Sequence, residues 1–258
     1  MQLLSIKYIL ATFLIFVRVS SMIMTAPFFN SASFPRRVKI YFAIITSLLL
    51  SFVIPGEQVL IPEESGLPFL ATAIFLEALV GVALGLVGQL VFAGIDMAGR
   101  LISLKITLSF AQIVNTMTQQ KTDIVGNLFT MLAVLVFLLI DGDKVYINAL
   151  ARSFEVIPVN QAQVQLAGPF MLEVANYLFI VGVQIAAPFL IVLFLLDLSL
   201  AIFARVMPQA NIMFIAIPIK LGLGFTLLTF VMPYLPDAFE TLFQRLFDFM
   251  AEVIGVIA

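Results

Sequence analysis

The sequence predicts an all-α, polytopic helical membrane protein, and three observations carry that expectation. Of the 258 residues, 62% are hydrophobic and only 11% are charged, against about 45–50% and about 25% in soluble domains. The mean hydropathy is +1.16, more apolar surface than a water-soluble fold of this length can hide. The apolar residues also fall in long continuous runs, without the alternation of a transmembrane barrel. Each run must then satisfy its own backbone hydrogen bonds in lipid, which only a helix does.

Six apolar segments are legible, at 8–26, 39–54, 67–95, 124–140, 170–196 and 211–232. Most match the roughly 30 Å of a hydrocarbon core; the second and fourth are short for it. The first follows a stretch with a single Lys7 and no clear small-residue cleavage site, so a retained first helix is expected. It holds Arg18. The second is preceded by Arg36 and Arg37 and followed by an acidic connection with Glu57, Glu63 and Glu64. The third carries Glu77, then Gly81 and Gly85 as GxxxG, then Gly88, with Gly94 and Ala98 repeating the spacing. Small residues four apart open a groove in which another helix backbone approaches closely, from this chain or from a partner.

Residues 99–123 form the least lipid-like long stretch, mixing Ser, Thr, Gln and Asn with Phe110, Ile113, Val114 and Met117. It reads as an ordinary solvent loop or as chain that lines a cavity and is enclosed by protein. The fourth segment ends at Asp141-Gly142-Asp143, which suits a turn or a helix start. The fifth and sixth are punctuated by Pro188, Pro208, Pro218 and Pro233, each of which bends or ends a helix. From Leu235 to Val253 apolar residues recur at helical spacing with Asp237, Glu240, Arg245, Asp248 and Glu252 between them. That is an amphipathic helix over 234–258, expected in an interface or packed on a partner. No internal repeat interrupts the chain, and a single helical membrane domain over 1–258 is the simplest organisation.

Charges in the apolar segments are Arg18, Glu77 and Lys220, with Glu173 and Asp197 near the ends of the fifth. A charge at the centre of a span costs about 2.5–3.5 kcal/mol on insertion scales, so it faces protein or water. Two readings follow, interhelical pairing or an ion pathway; the lack of a carboxylate cluster or a pair of broken helices favours pairing. Basic residues outside the segments number seven on one set of connections (Arg36, Arg37, Lys39, Arg100, Lys105, Lys121, Arg205). The other set has four: Lys7, Lys144, Arg152 and Arg245. The bias favours a cytoplasmic side for the first set.

The chain has no cysteine and no histidine, which removes disulfides, thiolate nucleophiles, the usual zinc and haem ligands and His general bases. No HExxH, Walker or GxSxG motif is present. No catalytic residue, metal site or cofactor is expected. The net charge of −2 argues against nucleic acid.

Several stretches together resemble the FliR/SctT family of type III secretion export gates. They are Arg18 through Pro27-Phe28-Phe29, Phe34-Pro35-Arg36-Arg37-Val38-Lys39, Glu77 with Gly81 and Gly85, and Gly94 to Gly99. Further along come Asp141-Gly142 through Leu150, Ser153 and Phe154 to Ile157-Pro158. The most specific are Asp197-Leu198, Arg205-x-x-Pro208-Gln209-x-Asn211 and Pro218-x-Lys220. Where the family often has Gly shortly before that Arg, this chain has Ala201 and Ala204.

The resemblance implies a core structural subunit of the flagellar export gate, of tilted and kinked helical hairpins packed into a ring-like hetero-oligomer. It implies FliP-like and FliQ-like partners, a FlhB-like switch protein, unfolded export substrates in transit, and the inner membrane at the flagellar basal body. An injectisome subunit, or a stand-alone ion or small-molecule transporter, are the alternatives. By the same resemblance, 106–122 with Phe110, Ile113, Val114 and Met117 is a pore plug. Arg18, Glu77, Gly81, Gly85, Asp197, Arg205, Pro208, Gln209, Asn211, Pro218 and Lys220 are implied interhelical or inter-subunit contacts.

Overall fold

The structure is a computed structural model that describes residues 6–27, 35–54, 66–107, 123–159, 161–162, 167–209 and 211–258. Every regular element among the described residues is a helix. In chain order these are α1 (Ile6–Thr25), α2 (Arg36–Val53), α3 (Leu67–Lys105), α4 (Ile124–Leu139), α5 (Gly142–Val156), α6 (Ala167–Val206) and α7 (Ile212–Val231). A 3₁₀ turn (Met232–Tyr234) then leads into α8 (Leu235–Ile257). By length and composition four stretches can cross a membrane, or five if α4 and α5 together form one bent span.

α3 and α6 have 39 and 40 residues. At 1.5 Å per residue each is roughly 60 Å long, about twice a hydrocarbon core. Both run past the apolar segments that announced them: α3 through Asp96, Arg100 and Lys105, and α6 through Asp197 and Arg205. Hydropathy fades there, but the Asp96–Arg100 pair at 2.7 Å keeps helical spacing.

The chain divides into two compact units, one of residues 1–91, 141–175 and 243–258, the other of 92–140 and 176–242. In the first, α1 and α2 form an antiparallel hairpin, with Tyr8 Oη 3.2 Å from Ser51 Oγ at one end. The seam of α2 is Ala43, Ser47 and Ser51, small and buried at a spacing of four. The serine hydroxyls return to their own helix, donating to the Ile44 and Leu48 carbonyls, so no polar group is stranded at the contact.

Gly81 and Gly85 of α3 face α1. A Cβ at Gly81 would fall on the Arg18 carbonyl oxygen and the Ser21 hydroxyl; one at Gly85 would meet the Thr25 side chain and the Met22 carbonyl. The GxxxG groove is filled by this chain's own first helix. Tyr146 of α5 lies against Gly88 and donates to the Leu84 and Gly85 carbonyls at 3.1 and 3.4 Å.

In the second unit the crossings are again made by glycine. Gly94 of α3 lies against the Leu178 carbonyl, and a Cβ at Gly182 of α6 would stand 2.8 Å from the Gly94 carbonyl oxygen. A Cβ at Gly99 would come within 2.5 Å of the Gly126 Cα in α4. Phe129 and Phe239 meet edge to face at 6.1 Å, holding the first part of α8. In the other unit Phe170 and Phe249 do the same for its last part. Residues Leu235, Phe239, Leu242, Phe243, Leu246, Phe249, Val253 and Ile257 are buried. The apolar face of α8, expected in an interface or on a partner, is thus covered by the chain itself.

These crossings make a contrast that stability measurements can check. Gly81→Ala is expected to lower the thermal midpoint of the purified chain, because the new methyl meets backbone that cannot move aside. Gly255→Ala, with nothing within 4 Å of the added carbon, is expected to leave it unchanged or raise stability by about 0.5–1 kcal/mol. Equal responses at the two positions would contradict the packing described.

Candidate functional site

Four of the five charged residues singled out in the apolar segments fall at two places, one in each unit, while Glu173 of α6 is exposed and belongs to neither place. In the first, Arg18 is fully buried and bidentate to Glu77: Nε donates to Oε2 at 2.6 Å and Nη2 to Oε1 at 3.1 Å. Nη1 donates to the Ser153 carbonyl at 3.0 Å, with the Ser153 hydroxyl at 3.3 Å, and both Nη1 and Nη2 reach the Ile157 carbonyl at 3.1 Å. All five guanidinium N–H groups therefore have acceptors. The Phe154 ring lies over the guanidinium, 4.1 Å from its centroid, a favourable placement for a desolvated cation.

Each part of this arrangement has a local cause. Arg18 shares the buried stripe of α1 with Leu14, Ile15, Val19 and Met22, and Glu77 sits one turn before Gly81, where α1 and α3 approach most closely. Ser153 and Ile157 lie at the C-terminal end of α5, where the Ser153 carbonyl also accepts from the Ile157 N–H at 2.9 Å and the helix dipole has its negative end. Arg18 supplies donors and charge to that end. One side chain thereby joins α1, α3 and α5.

In the second unit, Lys220 of α7 pairs with Asp197 of α6 at 2.5 Å, half-buried. Pro208 and Gln209 form the turn between these helices, and Asn211 precedes α7, its carbonyl accepting from the Phe214 N–H at 3.2 Å. Pro218 lies within α7. Arg205, Pro208, Gln209, Asn211 and Pro218 are all exposed. So is most of the hairpin around them: Ile202 is 68%, Val206 74% and Phe214 78% exposed. Isolated apolar residues on a surface are ordinary, but a continuous apolar hairpin is an interaction surface.

Also in this unit, the end of α3 and the start of α4 are pinned together. The Ser103 hydroxyl makes a short hydrogen bond to Asp123. Asp123 is also the N-cap of α4, accepting from the Gly126 N–H at 3.2 Å. Ile106 is buried against Gly224 of α7, and Thr107 has φ 65°, a left-handed value strained for a β-branched residue. The four residues expected to plug a pore, Phe110, Ile113, Val114 and Met117, lie outside the described residues, between these anchors. No cluster of three or more potential metal ligands occurs among the described residues.

A family described as bacterial export proteins, family 1, matches residues 9–246. The chain belongs to this family. It is 33% identical over 241 residues to the flagellar biosynthetic protein FliR of Pectobacterium carotovorum subsp. carotovorum, covering 93% of this chain and 90% of that one. Against FliR of Escherichia coli strain K12 the identity is 30% over 240 residues, with 93% and 90% covered. Against FliR of Bacillus subtilis strain 168 it is 27% over 251 residues, with 96% and 95% covered. The family is one of export components and not of enzymes.

Within this export family's sequence the residues singled out by their chemistry sort into two kinds. Arg18, Glu77, Gly81 and Gly85 lie inside one unit and touch one another or their immediate neighbours. Asp197 and Lys220 bind each other, while Arg205 has no ion pair among the described residues. Ser153, Phe154 and Ile157, which the sequence marks only through the family resemblance and not as contacts of Arg18, complete its cluster. Their signal is the spacing of Tyr146, Leu150, Ser153, Phe154 and Ile157 along a helix of low hydropathy.

Replacing Arg18 by Leu leaves Glu77 buried without its partner and is expected to cost about 3–5 kcal/mol. Glu77→Leu falls in the same range. The double replacement is expected to lose clearly less than the two singles combined, because no lone charge then remains. Thermal unfolding in detergent of the three variants measures this, and strict additivity would contradict it.

Proposed function

We propose that the chain is a core structural subunit of the flagellar type III protein export gate. Together with FliP-like and FliQ-like subunits it builds a ring-like pore through which unfolded flagellar proteins pass, with a FlhB-like switch protein alongside. The observation that carries this reading is the family match over residues 9–246, joined to relatives called flagellar biosynthetic protein FliR in distant bacteria. The flagellar names of those relatives favour the flagellar branch over an injectisome. The proposed location is the bacterial inner membrane at the flagellar basal body.

The physical features fit a subunit that works only in company. The α6–α7 hairpin leaves Phe194, Leu198, Ile202, Val206 and Phe214 exposed, a surface that water does not tolerate and that sister subunits or lipid must cover. Arg205 projects from the same hairpin without a carboxylate partner among the described residues, suited to an acidic group on a neighbour. Arg18, Glu77, Gly81, Gly85, Asp197 and Lys220 act within the chain, giving the hairpins a fixed shape. Pro208, Gln209 and Asn211 set the exposed turn, and Pro218 the helix beside it.

The stretch 106–122 is the proposed plug, with Phe110, Ile113, Val114 and Met117 sealing the closed pore. Its two ends are secured by the Ile106–Gly224 contact and the Ser103–Asp123 bond, as a segment that must return to one place requires.

Two outcomes test the reading. Affinity purification of the tagged chain from its native membrane is expected to bring down two other hydrophobic proteins at unequal stoichiometry. Arg205→Ala is expected to reduce that recovery without lowering the thermal midpoint of the isolated chain; a chain that purifies as a lone monomer or homo-oligomer would overturn the proposal. Deleting 106–122 is expected to make the assembled complex conduct ions in a planar bilayer. Unchanged conductance in a complex of normal composition would sink the plug.

A further inference from the structure

The α1–α2 hairpin holds a groove of ≈ 240 Å³ whose rim carries Arg36 and Lys39 and whose walls include Phe16, Ile23, Met24 and Ile40. Among the described residues no acidic side chain lines it. Arg18, Arg100, Lys144, Lys220 and Arg245 each pair with a carboxylate. Arg36, Arg37 and Lys39 pair with none among the described residues. They stand together in the first turn of α2, where the positive end of the helix adds to their field.

The apolar side of the groove does not stop at its edge. Ile40, Ile44 and Leu48 follow one another at a spacing of four along α2 and are 54%, 39% and 46% exposed. This is a strip leading away from the basic rim along one helix face. Tyr41 beside them is also exposed, a residue type that favours the membrane–water boundary.

We infer that this groove seats an anionic phospholipid, with its phosphate on Arg36 and Lys39 and one acyl chain along Phe16, Ile23 and Ile40 onto the strip. A cationic rim directly over an apolar wall matches an amphiphile, whereas a soluble acidic segment would use the cations and leave the wall in water. The groove is too small for a whole lipid, so it takes the head and the first part of one chain while the strip takes the rest. The bias of seven basic residues to four favours for this rim the side where the leaflet is anionic, and basic pockets between helices bind anionic headgroups there. The inference rests on α1 and α2 meeting lipid and not on the export reading, so either can fail without the other.

The test uses the full chain with its co-purifying partners, delipidated in detergent and titrated with phosphatidylglycerol, phosphatidylcholine of the same acyl chains, or inorganic phosphate. Native mass spectrometry counts bound lipid, and thermal midpoint reports stabilisation. Saturable binding of phosphatidylglycerol in preference to phosphatidylcholine is expected. The double variant Arg36→Gln/Lys39→Gln is expected to weaken it about 30-fold, each basic residue at an anionic surface giving about a fivefold factor. The variant Ile40→Asn, which keeps both cations, is expected to weaken it as well. The lipid-free midpoint of each variant serves as the folding control. Equal binding of the two lipids, binding indifferent to the double variant, or a full effect from inorganic phosphate alone would each overturn the inference. So would a groove that takes lipid only after the partners are removed, which would mark it as a protein interface.

Discussion

The rest of the first unit depends on one buried guanidinium. Water cannot reach Arg18, so its charge and its five N–H groups must be answered by protein. Glu77 answers the charge, the end of α5 answers the remaining donors, and Phe154 closes the face. Desolvating both ions costs several kcal/mol each, so the pair is tolerable only in this one arrangement. That makes the cluster a device of geometry more than of stability. In this register of α1, α3 and α5 every guanidinium donor is satisfied.

Glycine and serine do the complementary work. Apolar side chains do not drive helices together in lipid as they do in water, and close backbone approach takes over. Gly81 and Gly85 admit α1, Gly94 and Gly182 let α3 and α6 cross, and Gly99 meets Gly126. With the interior satisfied in this way, the large apolar side chains are left facing outward on α2, α6 and α7. Small residues thus set the closest helix crossings, while other large side chains such as Phe129, Phe154 and Phe189 fill the interior beside them.

Much of this is legible in the sequence, for definable reasons. Helical class follows from composition, and Arg18, Glu77 and Lys220 stand out because charge is rare in apolar runs. α5 escapes hydropathy because Asp143, Lys144, Arg152 and Glu155 dilute it, yet its buried residues keep helical spacing. The far ends of α3 and α6 escape for the same reason. Asp141, flanked by Gly142 and Asp143, is a turn residue at φ 57°, the left-handed conformation that Asp accepts more readily than most. What no single sequence shows is which charge meets which. Glu77 lies 59 residues from Arg18, and Ser153 lies 135 away. Nothing local marks either as its partner.

That separation has a consequence for how the protein is made. α1 leaves the ribosome with Arg18 already in an apolar helix, but Ile157, the last acceptor, follows 139 residues later. At typical synthesis rates the gap is on the order of ten seconds. During that interval the guanidinium has at best Glu77 and no end of α5, so the first helix cannot settle in its final place. Until α5 arrives, Arg18 lacks the Ser153 and Ile157 carbonyls that complete its set of acceptors. The cluster closes when a short polar helix docks onto a waiting charge, with the apolar helices α6 and α7 still to follow in the chain.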